Sequence, residues 1–250
     1  MRIVIDLQGA QTESRFRGIG RYSLSLALAV VRNRGEHDVH LVLNGLLSDT
    51  IESIRNAFDG LLPAENIHVW YAPGPVAEIE PSNLERRKAA ELIREGFIAS
   101  LNPDIVHISS VIEGYLDDAV TSIGRFDTKA PVSVSHYDLI PLLNPAQYLN
   151  SSPSYKQHYL GKIDELQRAS LVLSISEFSR TEGIEYLSVD ESRSVNISTA
   201  IDDNFQKLTI SPADASVFLQ ALDITKPFVF YTGGSDERKN LSRLVQAFAG

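Results

Sequence analysis

Pro131-Val132-Ser133-Val134-Ser135-His136-Tyr137-Asp138-Leu139-Ile140-Pro141 is the stretch that decides how the chain is read. Pro131 can open a strand, and Val132 and Val134 place β-branched apolar side chains at period 2. The run breaks at His136 and Asp138, and Pro141 closes it. This predicts a strand that delivers polar side chains at its end. In open α/β sheets ligands bind beyond the carboxyl ends of the strands, where loops and helix N-termini converge on a crevice. His136 and Asp138 are therefore expected on a functional rim, with His136 outside the core.

Upstream, residues 2–7 carry Ile3, Val4, Ile5 and Leu7 with little alternation, which reads as a parallel strand buried on both faces. A polar loop with Arg15 and Arg17 leads into Gly18-Ile19-Gly20-Arg21-Tyr22. Ile19, Tyr22, Leu26 and Ala29 then recur at helical spacing towards Gly35, a plausible C-cap. Further strands are expected at 39–43, 67–71, 104–108 and 171–175. Helices are expected at 49–58, 84–101, 155–169 and 177–187, with a short one before residue 131. In the helix at 84–101 the apolar face is read as Ala89, Leu92, Ile93 and Phe97. Strands and helices alternating in this way predict an α/β fold, a Rossmann-like parallel sheet with helices on both faces, wound in right-handed βαβ units.

Near residue 200 the pattern resets. Ser211-Pro212 opens a helix, residues 227–231 read as a new buried strand, 232–236 as a glycine loop and 241–248 as a helix. The expected organisation is a first domain at 1–204, a linker and connecting helix at 205–226, and the first βα unit of a second Rossmann-like domain at 227–250. One βα unit cannot bury its own apolar face, so the chain is read as a piece of something longer, or its last unit docks on a partner.

Composition narrows the function classes. A net charge of −9 over 250 residues argues against nonspecific nucleic-acid binding as the main task. Without cysteine there is no disulfide framework and no thiolate zinc site. The opening lacks signal-peptide features, and no apolar run approaches the roughly 18 residues that span a bilayer. A cytoplasmic location is the expectation.

Three stretches can carry chemistry. Gly18 and Gly20 at a helix start let backbone N–H groups approach an anion or a sugar; the competing reading is turn geometry and helix packing. As a dinucleotide fingerprint the loop fails, because Ser23 holds the third glycine position and the second strand ends at Asn44 with no acid. Arg15, Arg17 and Arg21 lie beside these glycines. His136 can hydrogen-bond a substrate hydroxyl or stabilise developing charge, or be a satisfied structural histidine, and His107 at the preceding strand end has the same two readings. Asp138 can accept from hydroxyls or form an Asx-turn ahead of Pro141. Gly233-Gly234, followed by Arg238 and Lys239, suits a diphosphate. No metal site is expected: the doublets Asp117-Asp118 and Asp202-Asp203 project divergently, and no His-X-X-X-His pair occurs. A Gly-X-Ser-X-Gly elbow is also missing, and Ser176 reads first as a helix cap. Arg86-Arg87-Lys88 is read as a basic triplet on an exposed helix face, for which contact with anionic lipid is the less favoured meaning.

Taken in order, Gly18-Ile19-Gly20-Arg21-Tyr22, His136-Tyr137-Asp138-Leu139-Ile140-Pro141, Ser174-Ile175-Ser176-Glu177-Phe178-Ser179 and Gly233-Gly234 with Asp236, Arg238, Lys239 and Asn240 resemble glycosyltransferase family 4. The segment from Asp6 to Tyr22 resembles in particular the bacterial mannosyltransferases that build polymannose O-antigen chains. The resemblance implies two facing Rossmann-like domains of the GT-B type with the active site between them. It also implies a retaining, metal-independent transfer from a nucleotide-sugar, with no other cofactor.

Carried over residue by residue, Gly18 and Gly20 would lie by the donor phosphate and His136 against the transferred sugar. Arg238 and Lys239 would neutralise the leaving diphosphate, and Asp138, Arg21 and Glu113 would serve near the acceptor. The implied donor is GDP-mannose and the implied acceptor a lipid-linked glycan, with peripheral association at the inner membrane face or with a partner enzyme. The family's paired glutamates and base pocket belong to the second domain beyond residue 250, so the piece alone is expected to be inactive. A non-catalytic glycan- or partner-binding module of the same fold is the alternative, and a Rossmann oxidoreductase is disfavoured by Ser23 and Asn44.

Overall fold

A computed structural model describes residues 1–126, 129–201 and 205–249. The Asp202-Asp203 doublet and the expected boundary at residue 204 lie outside them. The described chain divides into two compact units, Met1–Ala200 and Ile201–Gly250.

The first unit is built on strands β1 (Arg2–Asp6), β2 (Asp38–Asn44), β3 (Ile67–Trp70), β4 (Ile105–Ile108), β5 (Val132–His136), β6 (Leu171–Ser174) and β7 (Ser194–Asn196). All pair in parallel, in the order β3-β2-β1-β4-β5-β6-β7. The strand order reverses between β1 and β4, so the loops after these two strands diverge and open a crevice there. Its helices are α1 (Gly18–Arg32), α2 (Ile51–Ala57), α3 (Leu84–Ser100), α4 (Ile140–Leu143), α5 (Pro145–Tyr148), α6 (Pro153–Arg168) and α7 (Glu177–Leu187). Both faces of the sheet are covered, as a parallel sheet requires. Ile5 packs with Leu41, Val31 and Phe58 on one side, while its neighbour Val4 packs with Val106, Ala90 and Ile98 on the other. The fold is the α/β Rossmann-like sheet that the alternation of strands and helices implied.

Two faces differ from the sequence reading. In α1 the buried positions are Gly20, Ser23, Ala27 and Val31, a stripe of mostly small residues that brings the helix close to the sheet. Ile19, Tyr22 and Leu26 are only half-buried beside it. In α3 the inward face is Arg87, Ala90, Arg94, Glu95 and Ile98, and Leu92 and Ile93 are exposed. The cause lies in the connection from β4 to β5, where the described residues, 109–126 and 129–131, are irregular and the expected short helix is absent among them.

Backbone groups without a helix of their own need other partners, and charged side chains of α3 and α6 supply them. The Arg87 Nη1 donates to the Gly114 carbonyl at 3.0 Å and Arg94 Nη1 to that of Ser122 at 3.1 Å. The Glu95 carboxylate accepts from the amides of Arg125 and Phe126, and Glu165 from that of Ile123. Lys162 donates to the Thr121 carbonyl. With Arg87 buried among these groups, the Arg86-Arg87-Lys88 triplet is not a continuous basic surface.

The second unit contains α8 (Pro212–Ala221) and α9 (Leu241–Ala249). Residues 227–231, read as a strand, form no ladder. A strand is held by neighbours, and this one has no paired neighbour among the described residues. Among the described residues no helix is long and apolar enough to cross a membrane.

Candidate functional site

The N-terminus of α1 and the end of β5 meet on one rim. Arg17 and Ile19 from the first, and His136 and Asp138 from the second, line a cleft of about 270 Å³ together with Ser110 from the loop after β4 and Tyr155 from α6. Sequence reasoning placed the glycine loop and the strand end on a common edge, and in the structure they border one cavity.

His136 ends β5 opposite Ser174 of β6. Its Nδ1 lies 3.2 Å from Ser174 Oγ, and its Nε2 has no protein partner. A buried polar nitrogen left unpaired is costly, so a free Nε2 beside a cavity has the chemistry of a ligand contact. The side chain is 1% exposed, so it belongs to the core after all. Room for the ring comes from Gly183 of α7, where a Cβ would stand 3.4 Å from the imidazole. Burial lowers the His136 pKa to about 4, with Asp138 opposing, so the ring is neutral at neutral pH and retains one donor and one acceptor nitrogen.

His107 took the same two readings in the sequence and is resolved differently. Its Nδ1 and Nε2 lie 3.0 and 3.2 Å from Ser133 Oγ and Ser135 Oγ, so both nitrogens are occupied and it is structural. Asp138 is exposed at the cleft mouth, and its Oδ1 accepts from the Ile140 amide at 3.1 Å, the Asx-turn that Pro141 suggested.

The two glycines have separate roles. A Cβ on Gly18 would meet nothing within 4 Å, leaving the backbone there open to approach. A Cβ on Gly20 would overlap the Arg15 backbone, so Gly20 exists to let the preceding loop fold against α1. Arg15 is engaged with Asp49 at 3.1 Å, Arg17 borders the cleft, and Arg21 is exposed and does not line it.

Glu113 also does not line the cleft. Its buried carboxylate accepts from Ser110 Oγ at 2.9 Å, Thr12 Oγ1 at 3.0 Å and Ser14 Oγ at 3.2 Å. These bonds join the loop after β1 to the loop after β4. Desolvation raises the Glu113 pKa to about 7, against the pull of the three hydroxyls. Arg238 and Lys239 belong to the second unit, exposed in a turn whose Asp236 side chain accepts from the Arg238 amide at 3.0 Å. Ser176 caps α7 by accepting from the Ser179 amide at 3.0 Å.

Tyr137, Tyr155 and Tyr159 also border the cleft. Tyr155 and Tyr159 recur at i, i+4 on α6, a spacing that sequence reasoning assigns to core packing.

A doubly covered parallel sheet with its cleft beside the strand-order reversal is a Rossmann-like architecture, whose ligands bind at such a reversal in general, and comparison with known proteins narrows the class. No family model matches the chain. Over 250 residues, its full length, the chain is 33% identical to the serotype-specific mannosyltransferase WbdA of Escherichia coli, spanning 30% of that protein. A second WbdA sequence from the same species is 31% identical over 225 residues, 90% of this chain and 28% of that one.

Among solved structures, a glycosyltransferase from Rickettsia africae ESF-5 is similar at 14% identity and a TM-score of 0.44, over 90% of this chain and 50% of that one. Anabaena Alr3699/HepE in complex with UDP is similar at 16% and 0.46, over 89% and 50%. By sequence the chain is related along its whole length to bacterial serotype-specific mannosyltransferases, in agreement with the glycosyltransferases that its four ordered motifs resemble. It spans less than a third of the length of these curated relatives.

Proposed function

We propose that these residues form the acceptor-side domain of a retaining mannosyltransferase that uses GDP-mannose to extend a lipid-linked glycan at the inner face of the cytoplasmic membrane. The observation that carries the reading is the buried, unpartnered Nε2 of His136 at the cleft between the α1 N-terminus and β5. Its support is the relation to mannosyltransferases along the whole chain.

In this reading the neutral His136 gives or takes one hydrogen bond at a hydroxyl of the transferred mannose and does not itself gain charge. The open backbone at Gly18 and the Arg17 guanidinium stand by the donor phosphates, and the exposed Asp138 accepts from acceptor hydroxyls. Arg238 and Lys239 offset the charge that develops on the departing diphosphate, where electrostatic stabilisation has its largest effect. Glu113 enters as a brace between two rim loops. The leaving phosphate takes the proton of the attacking hydroxyl on the face from which it departs, and configuration is retained without a metal.

The test uses the full-length protein with a panel of nucleotide-sugars and a mannose-terminated acceptor, the product anomer being assigned by NMR. GDP-mannose should be used in preference, giving an α-linked product. His136→Gln, which keeps a polar side chain in the buried site, should lower turnover by about 10²-fold, the scale of losing one oriented polar contact, while the melting temperature stays within a few degrees. Wild-type turnover in this variant, or no transfer from any nucleotide-sugar, would overturn the proposal.

A further inference from the structure

Beside His136 the chain presents Tyr137, whose side chain goes to the opposite face of β5, towards α1. Its hydroxyl lies 2.8 Å from the Ser109 carbonyl, 3.0 Å from Ser23 Oγ and 3.4 Å from the Ile19 carbonyl. Its ring meets that of Tyr22 edge-on, with centroids 5.7 Å apart. Ser23 is 1% exposed, and Gly9 from the loop after β1 packs on it so closely that a Cβ there would stand 2.8 Å from Ser23 Oγ. The Gly9 amide in turn donates to Ser109 Oγ at 3.3 Å.

One phenol thus joins the N-terminal turns of α1, the end of β4 and the end of β5, and Gly9 of the loop after β1 packs on its partner Ser23. Ser23 Oγ also lies 2.9 Å from the Ile19 carbonyl, so either hydroxyl can donate across the Ser23–Tyr137 contact: Ser23 to Tyr137 Oη with Tyr137 donating to the Ser109 carbonyl, or Tyr137 to Ser23 Oγ with Ser23 donating to that of Ile19. Ser23 occupies the position that is glycine in a dinucleotide-binding helix, and its hydroxyl is turned into this tie.

We infer that Tyr137, through Ser23, is a positioning residue that fixes the first turn of α1 against the strand end bearing His136, and so sets the width of the cleft between Ile19 and His136. The inference rests on the proposed transfer reaction for its consequence in catalysis, but the tie itself does not. Misplacing reacting groups by about 1 Å costs on the order of 10²-fold in rate even when the contacts survive. A tie of this kind acts on turnover more than on donor affinity.

The experiment uses Tyr137→Phe, Ser23→Ala and the double variant. In the full-length protein each single change should lower kcat by roughly tenfold, with KM for GDP-mannose within about twofold, and the double change should be no worse than either single one, because both remove the same tie. In the same protein, hydrogen exchange of the amides of residues 21–23 should speed up by about tenfold in Tyr137→Phe while that of β5 is unchanged. Loss of packing alone would raise exchange throughout and leave the kcat to KM split unmoved. Additive effects in the double variant, wild-type kcat in the single ones, or unchanged exchange at α1 would overturn the inference. Wild-type protein that transfers no sugar would instead remove the proposed function, and the exchange measurement would still decide whether the tie exists.

Discussion

Glu113→Gln converts a buried ionisable brace into a neutral one of nearly the same shape, and the structure sets both the sign and the size of the outcome. The carboxyl titrates near its ordinary 4.5 in the unfolded chain and at about 7 in the folded one. Between those values the folded protein keeps a proton that the unfolded chain has released, so stability falls as pH rises. The contribution is fully present below pH 4.5 and is lost as pH rises through about 7. At about 1.4 kcal/mol per pH unit over roughly 2.5 units, the fall is on the order of 3 kcal/mol.

Glutamine has no such titration, and the hydroxyls of Thr12, Ser14 and Ser110 can each turn to accept from its amide or donate to its oxygen. Urea unfolding of both proteins between about pH 4.5 and 8, followed by far-ultraviolet circular dichroism, isolates the residue, since every other titrating group cancels in the difference. The two should be within about 1 kcal/mol at the acid end, and the glutamine variant should gain about 3 kcal/mol on wild type by pH 8. A difference that stays flat with pH, or that moves against glutamine as pH rises, would refute the reasoning.

Two further changes probe the frame around the site. Arg94→Leu leaves the fully buried Asp6 carboxylate with only Gln8 as side-chain partner, since Arg94 Nε now reaches it at 2.5 Å. A loss of about 3–5 kcal/mol in urea unfolding is expected, partly restored by adding Asp6→Asn, and a loss under about 1 kcal/mol would contradict it. Within helices Gly→Ala usually gains up to about 1 kcal/mol. Gly18→Ala should follow that rule, but Gly20→Ala should lose about 2 kcal/mol or more, because its Cβ meets the Arg15 backbone. Melting temperatures moving in the same direction for both would show that the loop can yield.

The sheet was legible because Ile3-Val4-Ile5 is apolar on both faces, as a buried parallel strand is, and because Val132 and Val134 recur at period 2. The longer helices were legible from their periodicity, whereas the short α4 and α5 and the faces of the long ones were not. Periodicity turns the most apolar stripe of α3 inward, yet the residues that face inward are Arg87, Arg94 and Glu95, because what they cover is irregular backbone needing hydrogen bonds. Local sequence does not reveal that the described residues between β4 and β5 lack a crossover helix. Both readings of Gly20 were open until the position of the Arg15 backbone was known. His107 lies one residue from the end of β4 and His136 ends the adjacent β5, and only the serines within reach of each ring, two for the first and one for the second, separate a satisfied ring from one with a free nitrogen. That distinction is a matter of strand register, which depends on pairing partners far away in the chain.

The rim is held by a few short polar contacts. Glu113 gathers hydroxyls from the loops after β1 and β4, and Tyr137 gathers α1 and the ends of β4 and β5. Both knots lie within Met1–Ala200, and each satisfies buried polar groups that would otherwise hold water or an alternative conformation. Such a rim is rigid before any ligand arrives, and the ordering of its loops is not charged against binding. His136, whose Nε2 is buried without a protein partner, borders that cleft at the end of β5. There one hydrogen bond discriminates strongly between a ligand that has the matching hydroxyl and one that lacks it. In the proposed reaction that selectivity would act where the sugar is oriented, at the strand end to which the sequence first pointed.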